Sequence, residues 1–520
     1  MSGPNDRFRL PDDLPVALAR DTSLWSGGRV ATGGAPWKMV RLAEATLPHV
    51  AALRRAGRAG LADPSPVGRA LAARLLDLGM ADPLPAPRPG PHDVTVVIPA
   101  YERADELARS LEAVGDVPVI VVDDGSPDPE PLRRVAEAHG ARLVRHARNR
   151  GPAAARNTGL RLVRTRFAAL VDSDCRPMDG WLDVLVPHFD DARVAAVAPR
   201  IVPESDGTGL LARYETARSA LDMGLRPALV RPGGRLGFVP TATLLVRVAA
   251  LPDDPFDEDL RLGEDVDLVW RLGDRKWNVR YEPAARVAHT PRLHPVAWAK
   301  RRHEYGTSAA DLARRHPGRL APARPSAWNL AVLALLARGR PGMAAGVAAV
   351  AAALLARRLS RLPADWSLAA AIVGKGTAAD AAAIGHALRR EWWPLGLVAL
   401  AASPHSRLAR AAAAAMLAPI ALEWLRQRPP IDPVRYTALR LAEDVAYGSG
   451  VTAASARARS AAPLLPDVRF PESVSSAGAR AREAAARWIA AVRPAGRDPR
   501  SGRPGVSGSA RRGRRAAGRR

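Results

Sequence analysis

Ala168-Ala169-Leu170-Val171-Asp172-Ser173-Asp174 is the stretch on which the reading of this chain turns. An apolar run ends in two carboxylates spaced i, i+2. As a buried strand, it delivers its last residues to the carboxyl edge of a sheet, where open α/β folds bind their ligands. Side chains at i and i+2 of an extended segment point the same way. Asp172 and Asp174 are therefore expected to face one site, and two close anions repel unless a cation sits between them. A hard divalent ion takes one or two carboxylates and completes its shell with phosphate oxygens. The expected occupant is a metal-bridged diphosphate. A solvated turn carries the same triplet, so the neighbouring motifs decide.

Upstream, Val94-Thr95-Val96-Val97-Ile98-Pro99 is a β-branched run of the kind found in buried parallel strands. Asp105 to Val114 predicts a helix. Val119-Ile120-Val121-Val122 predicts a second buried strand, ending in Asp123-Asp124-Gly125-Ser126. A helix from Glu130 to His139 and a strand at Arg142-Leu143-Val144 follow. Alternating strands and helices imply a mostly parallel sheet with right-handed crossovers. Carboxylates at the ends of two separate strands then point to one edge.

Between them lies Arg148 to Gly159, in which Gly151 permits close backbone approach and small residues open a helix suited to a phosphate. Arg156 offers a planar fork for a phosphate or base edge, or else an ion pair. The loop lacks G-K-[ST] and is not G-x-G-x-x-G, which weighs against an NTPase or a dehydrogenase. Further on, Gly263-Glu264-Asp265-Val266-Asp267-Leu268 opens a helix whose apolar face is Val266, Leu268, Val269 and Leu272. Acids there also suit the helix dipole, so capping is an alternative to catalysis.

The four motifs, in this order, resemble the family 2 glycosyltransferases of the GT-A fold over residues 93–292. The resemblance implies an α/β nucleotide-sugar-binding fold. It places Pro99, Tyr101 and Asp124 against the nucleotide, and Arg156 and Asp172 beside it. Asp172 and Asp174 would hold Mg²⁺ or Mn²⁺ on the diphosphate, with His289 as a third ligand or a structural histidine. Glu264 and Asp265 would be the catalytic acids, with Asp265 the base of an inverting transfer. The Q-x-x-R-W signature of processive synthases is missing; Lys300-Arg301-Arg302-His303-Glu304-Tyr305-Gly306 stands in its place.

Outside this unit the chain of 520 residues divides further. Residues 1–92 are expected to form a small winged-helix-like α+β domain with three helices and a proline-rich linker. Its strands are Pro15-Val16-Ala17-Leu18 and Ser23-Leu24-Trp25, with helical spacing at Val40-Arg41-Leu42 and Val50 to Leu53, and a helix from Ala70 to Leu78 stopped at Gly79-Met80. This pattern resembles PqqD-like peptide-recognition domains, which add a peptide as an extra strand to an exposed edge. Residues 293–450 are expected to be a helical amphipathic region. The apolar pieces Ala327–Ala337, Gly342–Ala356, Trp392–Ala402 and Ala411–Leu425 each fall short of the roughly 20 residues that cross a bilayer. Their Trp edges and Arg flanks favour helices lying on an anionic leaflet over a soluble bundle. Residues 451–520 are expected to be a basic disordered tail, most clearly over 493–520.

The net charge of +25 comes almost wholly from arginine, as a compositional bias would produce, and no specific nucleic-acid partner is expected. One cysteine, Cys175, rules out an intrachain disulfide framework and fits a reducing compartment. The N-terminus lacks the apolar region of a signal peptide.

Taken together with Ala198-Pro199-Arg200-Ile201-Val202, Ser219 to Leu225 and Leu441 to Gly448, the chain up to about residue 450 resembles the glycosyltransferases of actinobacterial mycofactocin systems. That resemblance implies transfer of a hexose, chiefly glucose from UDP- or GDP-glucose, onto a redox cofactor derived from a ribosomal peptide. It implies oligosaccharide building at the cytoplasmic face of the membrane or in the cytoplasm. Two rival readings are a membrane-associated transferase acting on a lipid or cell-wall glycan, and a non-catalytic peptide-binding module.

Overall fold

The computed structural model describes residues 10–205, 207–360 and 366–470. The chain begins with strands β1 (Val16–Leu18), β2 (Ser23–Trp25), β3 (Val30–Gly33) and β4 (Lys38–Arg41). Helices α1 (Leu47–Ala56) and α2 (Pro66–Leu78) and strand β5 (Ala81–Pro83) follow. β2, β3 and β4 form an antiparallel sheet, while β1 pairs with β5 instead of its neighbour β2. Val40-Arg41-Leu42, expected to be helical, instead runs into β4, where Val40 lies opposite Ala31. Three residues of apparent helical spacing are outweighed by a cross-strand ladder. The described residues here carry two α-helices rather than three, packed through Val50, Leu53, Leu71, Leu75 and Leu76.

Next come β6 (Val94–Ala100), α3 (Ala104–Val114), β7 (Val119–Asp123), α4 (Glu130–Ala138), β8 (Arg142–Arg145), α5 (Pro152–Leu162) and β9 (Phe167–Val171). The second half contains β10 (Cys175–Pro177), α6 (Trp181–Leu185), β11 (Val194–Pro203), α7 (Leu210–Ala217), β12 (Ala228–Val230), β13 (Thr243–Arg247), α8 (Glu264–Asp274) and β14 (Asn278–His289). These strands make one nine-stranded sheet in the order β10-β14-β11-β13-β9-β6-β7-β8, with β12 on β14. Val97, Val122 and Leu170 enter one hydrophobic cluster, and Val96, Ile98 and Val121 enter another. Both faces are thus covered, which is why these strands read as unbroken apolar runs.

The expected parallel sheet holds for β8, β7, β6 and β9. It fails beyond them. β13 lies antiparallel between β9 and β11, and β10 and β12 run antiparallel to β14. The sheet is mixed, because its second half returns without a helical crossover at every step.

Eight helices complete the described chain: α9 (Pro295–Thr307), α10 (Ala309–Arg315), α11 (Ala327–Ala337), α12 (Pro341–Leu359), α13 (Trp366–Arg389), α14 (Trp393–Ala402), α15 (Arg407–Gln427) and α16 (Pro433–Arg457). α9 and α16 pack so closely that a Cβ on Gly306 would sit 2.0 Å from the carbonyl oxygen of Tyr447. The expectation that no apolar piece reaches span length is corrected here. α12, α13 and α15 are long and apolar enough, by length and composition, to cross a membrane. Alanines and arginines at the ends of the apolar runs join the helices and lengthen them, and α13 was not foreseen at all. The tail was expected from residue 451, but α16 carries on to Arg457, because Val451 and Ala454 still pack as buried residues of that helix; residues 493–520 lie outside the described residues.

Candidate active site

β6, β7 and β9 end side by side, and each hands its next residues to one cleft of about 500 Å³. Pro99, Tyr101, Asp124, Arg156, Asp172, Asp174, Glu264, Asp265 and His289 all line it. Every site residue expected from the sequence is therefore brought to a single place, from positions 190 residues apart.

The way Asp172 and Asp174 arrive differs from expectation. β9 stops at Val171, and Asp172-Ser173-Asp174 is a turn in which the Cys175 N–H donates to the Asp172 carbonyl at 2.9 Å. The two carboxylates share the cleft because the chain turns there, not because an extended strand alternates. β10 then pairs Cys175 with His289 on β14. That register carries His289 to Asp174, with Nε2 3.6 Å from Oδ2. His289 and burial act in opposite directions on the Asp174 carboxyl; burial is the larger single influence, but hydrogen bonding and charge together hold it below its ordinary range. Cys175 is wholly buried, and desolvation beside two aspartates pushes its thiol well up. It is a packed side chain and not a nucleophile.

Arg156 occupies the centre. It is 4% exposed. Its Nη2 donates to Asp172 Oδ1 at 2.6 Å and its Nη1 to Glu264 Oε1 at 2.8 Å, and its guanidinium lies 5.6 Å from the Phe256 ring centroid. Both arms of the fork are given to acids of this chain. Burial alone would weaken the charge on Arg156; the two carboxylates more than offset it. Arg156 thus ties the end of β9 to the start of α8.

Asp265 is the acid this arrangement leaves over. One oxygen accepts the Val266 N–H at 2.7 Å. Burial first, and the neighbouring charge of Glu264 second, push its carboxyl up to about 7. A carboxylate with that affinity is suited to taking a proton at neutral pH. Its helix is held in place from behind: Asp267 pairs with Arg271 at 2.7 Å and with His316 at 2.9 Å.

Asp124 organises the opposite wall. Its carboxylate accepts the backbone N–H groups of Arg150 (3.0 Å) and Gly151 (2.7 Å) and meets His146 Nδ1 at 2.8 Å. The next residue, Gly125, has φ +75°, and a Cβ there would lie 2.4 Å from the Arg148 carbonyl carbon. Only glycine lets the two loops approach this closely. Tyr101 stands at the mouth, 43% exposed.

Sequence reasoning missed His146, which locks Asp124 to Thr158, and the far wall made by Glu215, Arg301, Arg302 and Tyr305. Glu215 accepts from Trp298 Nε1 at 2.6 Å and from Arg302 at 2.5 Å. The run Lys300-Arg301-Arg302 was the available signal, since it occupies the place of the synthase signature. Arg261 and Arg292 also line the cleft, with no carboxylate paired to either among the described residues. Also among the described residues, no three His, Cys, Asp or Glu side chains stand close enough to hold a metal unaided. The oxygen and imidazole donors of Asp172, Asp174 and His289 suit a hard divalent ion, provided that other ligands complete its shell.

Comparison with known proteins shows which family the chain belongs to. Residues 95–250 match the family described as Glycosyl transferase family 2. The pre-mycofactocin glycosyltransferase of Mycobacterium tuberculosis (strain CDC 1551 / Oshkosh) is 39% identical over 471 residues, covering 88% of this chain and 98% of that one. The succinoglycan biosynthesis protein ExoO of Rhizobium meliloti is 32% identical over 190 residues, 34% of this chain and 54% of its own. Among solved structures, the mannosyltransferase PcManGT from Pyrobaculum calidifontis, in complex with GDP-Man and Mn²⁺, is similar at 20% identity and TM-score 0.41, covering 71% of this chain and 89% of that one. The mixed sheet with its cleft is a GT-A glycosyltransferase fold, and the chain is an enzyme of the glycosyltransferase class. It belongs to the family 2 glycosyltransferases, in the same family as pre-mycofactocin glycosyltransferase.

Proposed function

We propose that this enzyme moves a hexose, glucose from UDP- or GDP-glucose, onto a pre-mycofactocin-type acceptor derived from a ribosomal peptide, and repeats the step to build an oligosaccharide. The observation that carries this reading is the meeting of nine separately coded residues in one cleft, with one acid, Asp265, left unmatched. The near full-length likeness to a relative of that name supports the acceptor.

The transfer inverts the anomeric carbon. The acceptor oxygen attacks it, the bond to the diphosphate oxygen breaks, and Asp265 takes the hydroxyl proton. Glu264 is bound by Arg156 and stands next to Asp265 at the start of the helix. Tyr101, Pro99 and Asp124 form the nucleotide end of the cleft. A divalent ion, held by Asp172 and Asp174 with His289 beside them, would draw negative charge off the leaving diphosphate. Arg261, Arg292 and Arg301 add positive charge to the same wall. Residues 1–92 would dock the peptide part of the acceptor; β2 and β4, the outer strands of a three-stranded sheet, each have one neighbour. On this reading the enzyme works at the cytoplasmic face of the membrane or in the cytoplasm.

The test is a panel of acceptors with UDP- and GDP-glucose, followed by mass spectrometry. Hexose-spaced products on the peptide-derived acceptor are expected. Products only on a polyprenyl or saccharide acceptor would favour the cell-wall rival, and no turnover of any donor would favour a binding module.

A further inference from the structure

The helical layer of residues 327–428 presents an outer surface that the site does not use. Leu336, Met343, Val350, Leu354, Trp366, Leu395, Leu397, Val398, Leu408, Leu422 and Leu425 are each at least 42% exposed. A monomer rarely leaves so many large apolar side chains of neighbouring helices exposed without a partner for them. On the same helices and their tips stand Arg338, Arg340, Arg357, Arg358, Arg407, Arg410, Arg426 and Arg428, all exposed and none paired with a carboxylate among the described residues. No acidic residue is exposed among the described residues of this segment. Asp380 is held by Ser326 and Asn329, Glu423 by Tyr436, and Glu391 is largely covered. Apolar side chains fringed by unmatched cations fit an anionic lipid surface.

Three of these helices have the length to cross a bilayer, yet the packing forbids it. α13 is held at both ends by folded, water-facing parts of the chain. Its start packs Leu368 and Ile372 against Val30, Trp25 and Met39 of the N-terminal sheet. Its middle is fixed by Asp380 to the backbone at Ser326, and its end by Arg389 to Asp444 at 2.9 Å. Those two parts are themselves joined through the catalytic sheet, since Asp77 of α2 binds Arg193 at 2.9 Å beside β11 and the Tyr214 hydroxyl of α7 donates to Glu443 of α16 at 2.7 Å. A helix whose two ends rest on one aqueous body cannot cross hydrocarbon.

α12 and α15 fail for a different reason. Each shares a hairpin tip with a helix too short to reach across. The α11–α12 tip hangs from α11, 11 residues long and anchored at Ser326. The α14–α15 tip hangs from α14, 10 residues long and anchored at Trp392, whose Nε1 donates to the Leu464 carbonyl at 2.7 Å. At about 1.5 Å per residue, neither tip stands more than about 16 Å from its anchor, roughly half of the ~30 Å hydrocarbon core.

We infer that this layer is a one-leaflet anchor: α11 to α15 bed their outer faces into an anionic leaflet, with arginines at the headgroups, and no helix passes through. The cleft is thereby held at a fixed height over the lipid. This inference concerns the membrane face and stands apart from the choice of donor and acceptor.

The experiment has two arms. In the first, the purified full chain is sedimented with phosphatidylglycerol or phosphatidylcholine vesicles. Binding to the anionic vesicles, weakened by salt and at least tenfold weaker in a Leu397→Asp, Val398→Asp double variant that keeps its transfer activity in solution, is expected. Absence of binding to anionic vesicles, or no effect of the double variant, overturns the proposal. In the second, Arg338→Cys, His405→Cys and Arg58→Cys variants are exposed to an impermeant maleimide in sealed membrane vesicles of each orientation. The native Cys175 is buried and silent. Labelling of both tips only from the side that labels position 58, or their shielding from both sides, supports the proposal. Labelling of either tip from the opposite side overturns it.

Discussion

Two buried charge clusters in this enzyme are built from the same residue types and behave in opposite ways. Behind the cleft, Asp444 is met by Arg389 at 2.9 Å and Arg440 at 3.1 Å, while Glu443 takes the Tyr214 hydroxyl at 2.7 Å. Burial works against the Asp444 carboxylate, but the surrounding arginines and a histidine outweigh it and hold the carboxyl below its usual range. In the cleft, one arginine serves two acids, Asp172 and Glu264, and a third, Asp265, is left without a cation of its own. Its carboxyl rises to about 7. A matched cluster locks helices together; a cluster short of one cation keeps an acid ready to accept a proton.

That contrast can be broken at its strongest point first. Asp265→Asn is expected to lower kcat by about three to four orders of magnitude while leaving nucleotide-sugar affinity near wild type, read by steady-state kinetics and calorimetry. Turnover close to wild type would remove Asp265 from the chemistry. Arg156→Lys, which cannot span both acids, is expected to lower kcat by about 100-fold, because a small misplacement of reacting groups has that effect. Arg156→Ala should be worse still, and a change confined to donor KM would show that Arg156 binds nucleotide after all.

The pH profile sharpens the same point. Only ionised Asp265 accepts a proton, and its carboxyl sits at about 7. kcat/KM should therefore fall about tenfold per unit as pH drops below 7 and level off above it. On the matched side, Asp444→Asn should leave chemistry nearly untouched but destabilise the fold by about 3–5 kcal/mol, since it strands buried arginines. The wild-type contribution is present at neutral pH and lost as pH falls through the depressed Asp444 value, seen as a drop in Tm in acid. The smallest effect belongs to the rim: Tyr101→Ala should raise donor KM by about 3–10-fold with little change in kcat, as expected for removal of one partly exposed aromatic contact.

Much of the catalytic half was legible before any coordinates. β6 and β7 are β-branched runs and β9 is an apolar one, all buried on both faces, and such runs have few other homes. Each ends in a polar motif, and strand ends on one sheet edge must share a cleft. The helix at Glu264 was legible from its apolar face. The front strands β1 and β2 were found as strands, but their pairing was not. β1 seeks β5, more than 60 positions away, because a short strand carries no mark of its partner.

What the amino-acid order determined alone is therefore the local part: which segments are strands or helices from β6 to β9 and at α8, and which acids close them. What only the tertiary structure decided is pairing. The register of Cys175 with His289 brings a histidine to Asp174. The antiparallel entry of β13 makes the sheet mixed. The sharing of Arg156 between Asp172 and Glu264 leaves Asp265 unmatched. α13 escaped notice because Gly374, Lys375, Gly376 and Thr377 interrupt its apolar run, and helix–helix contact at Gly385 and Ala415 completes it. Charges and hydrogen bonds act over a few ångströms of space, and sequence distance does not report such separations until the chain has closed on itself.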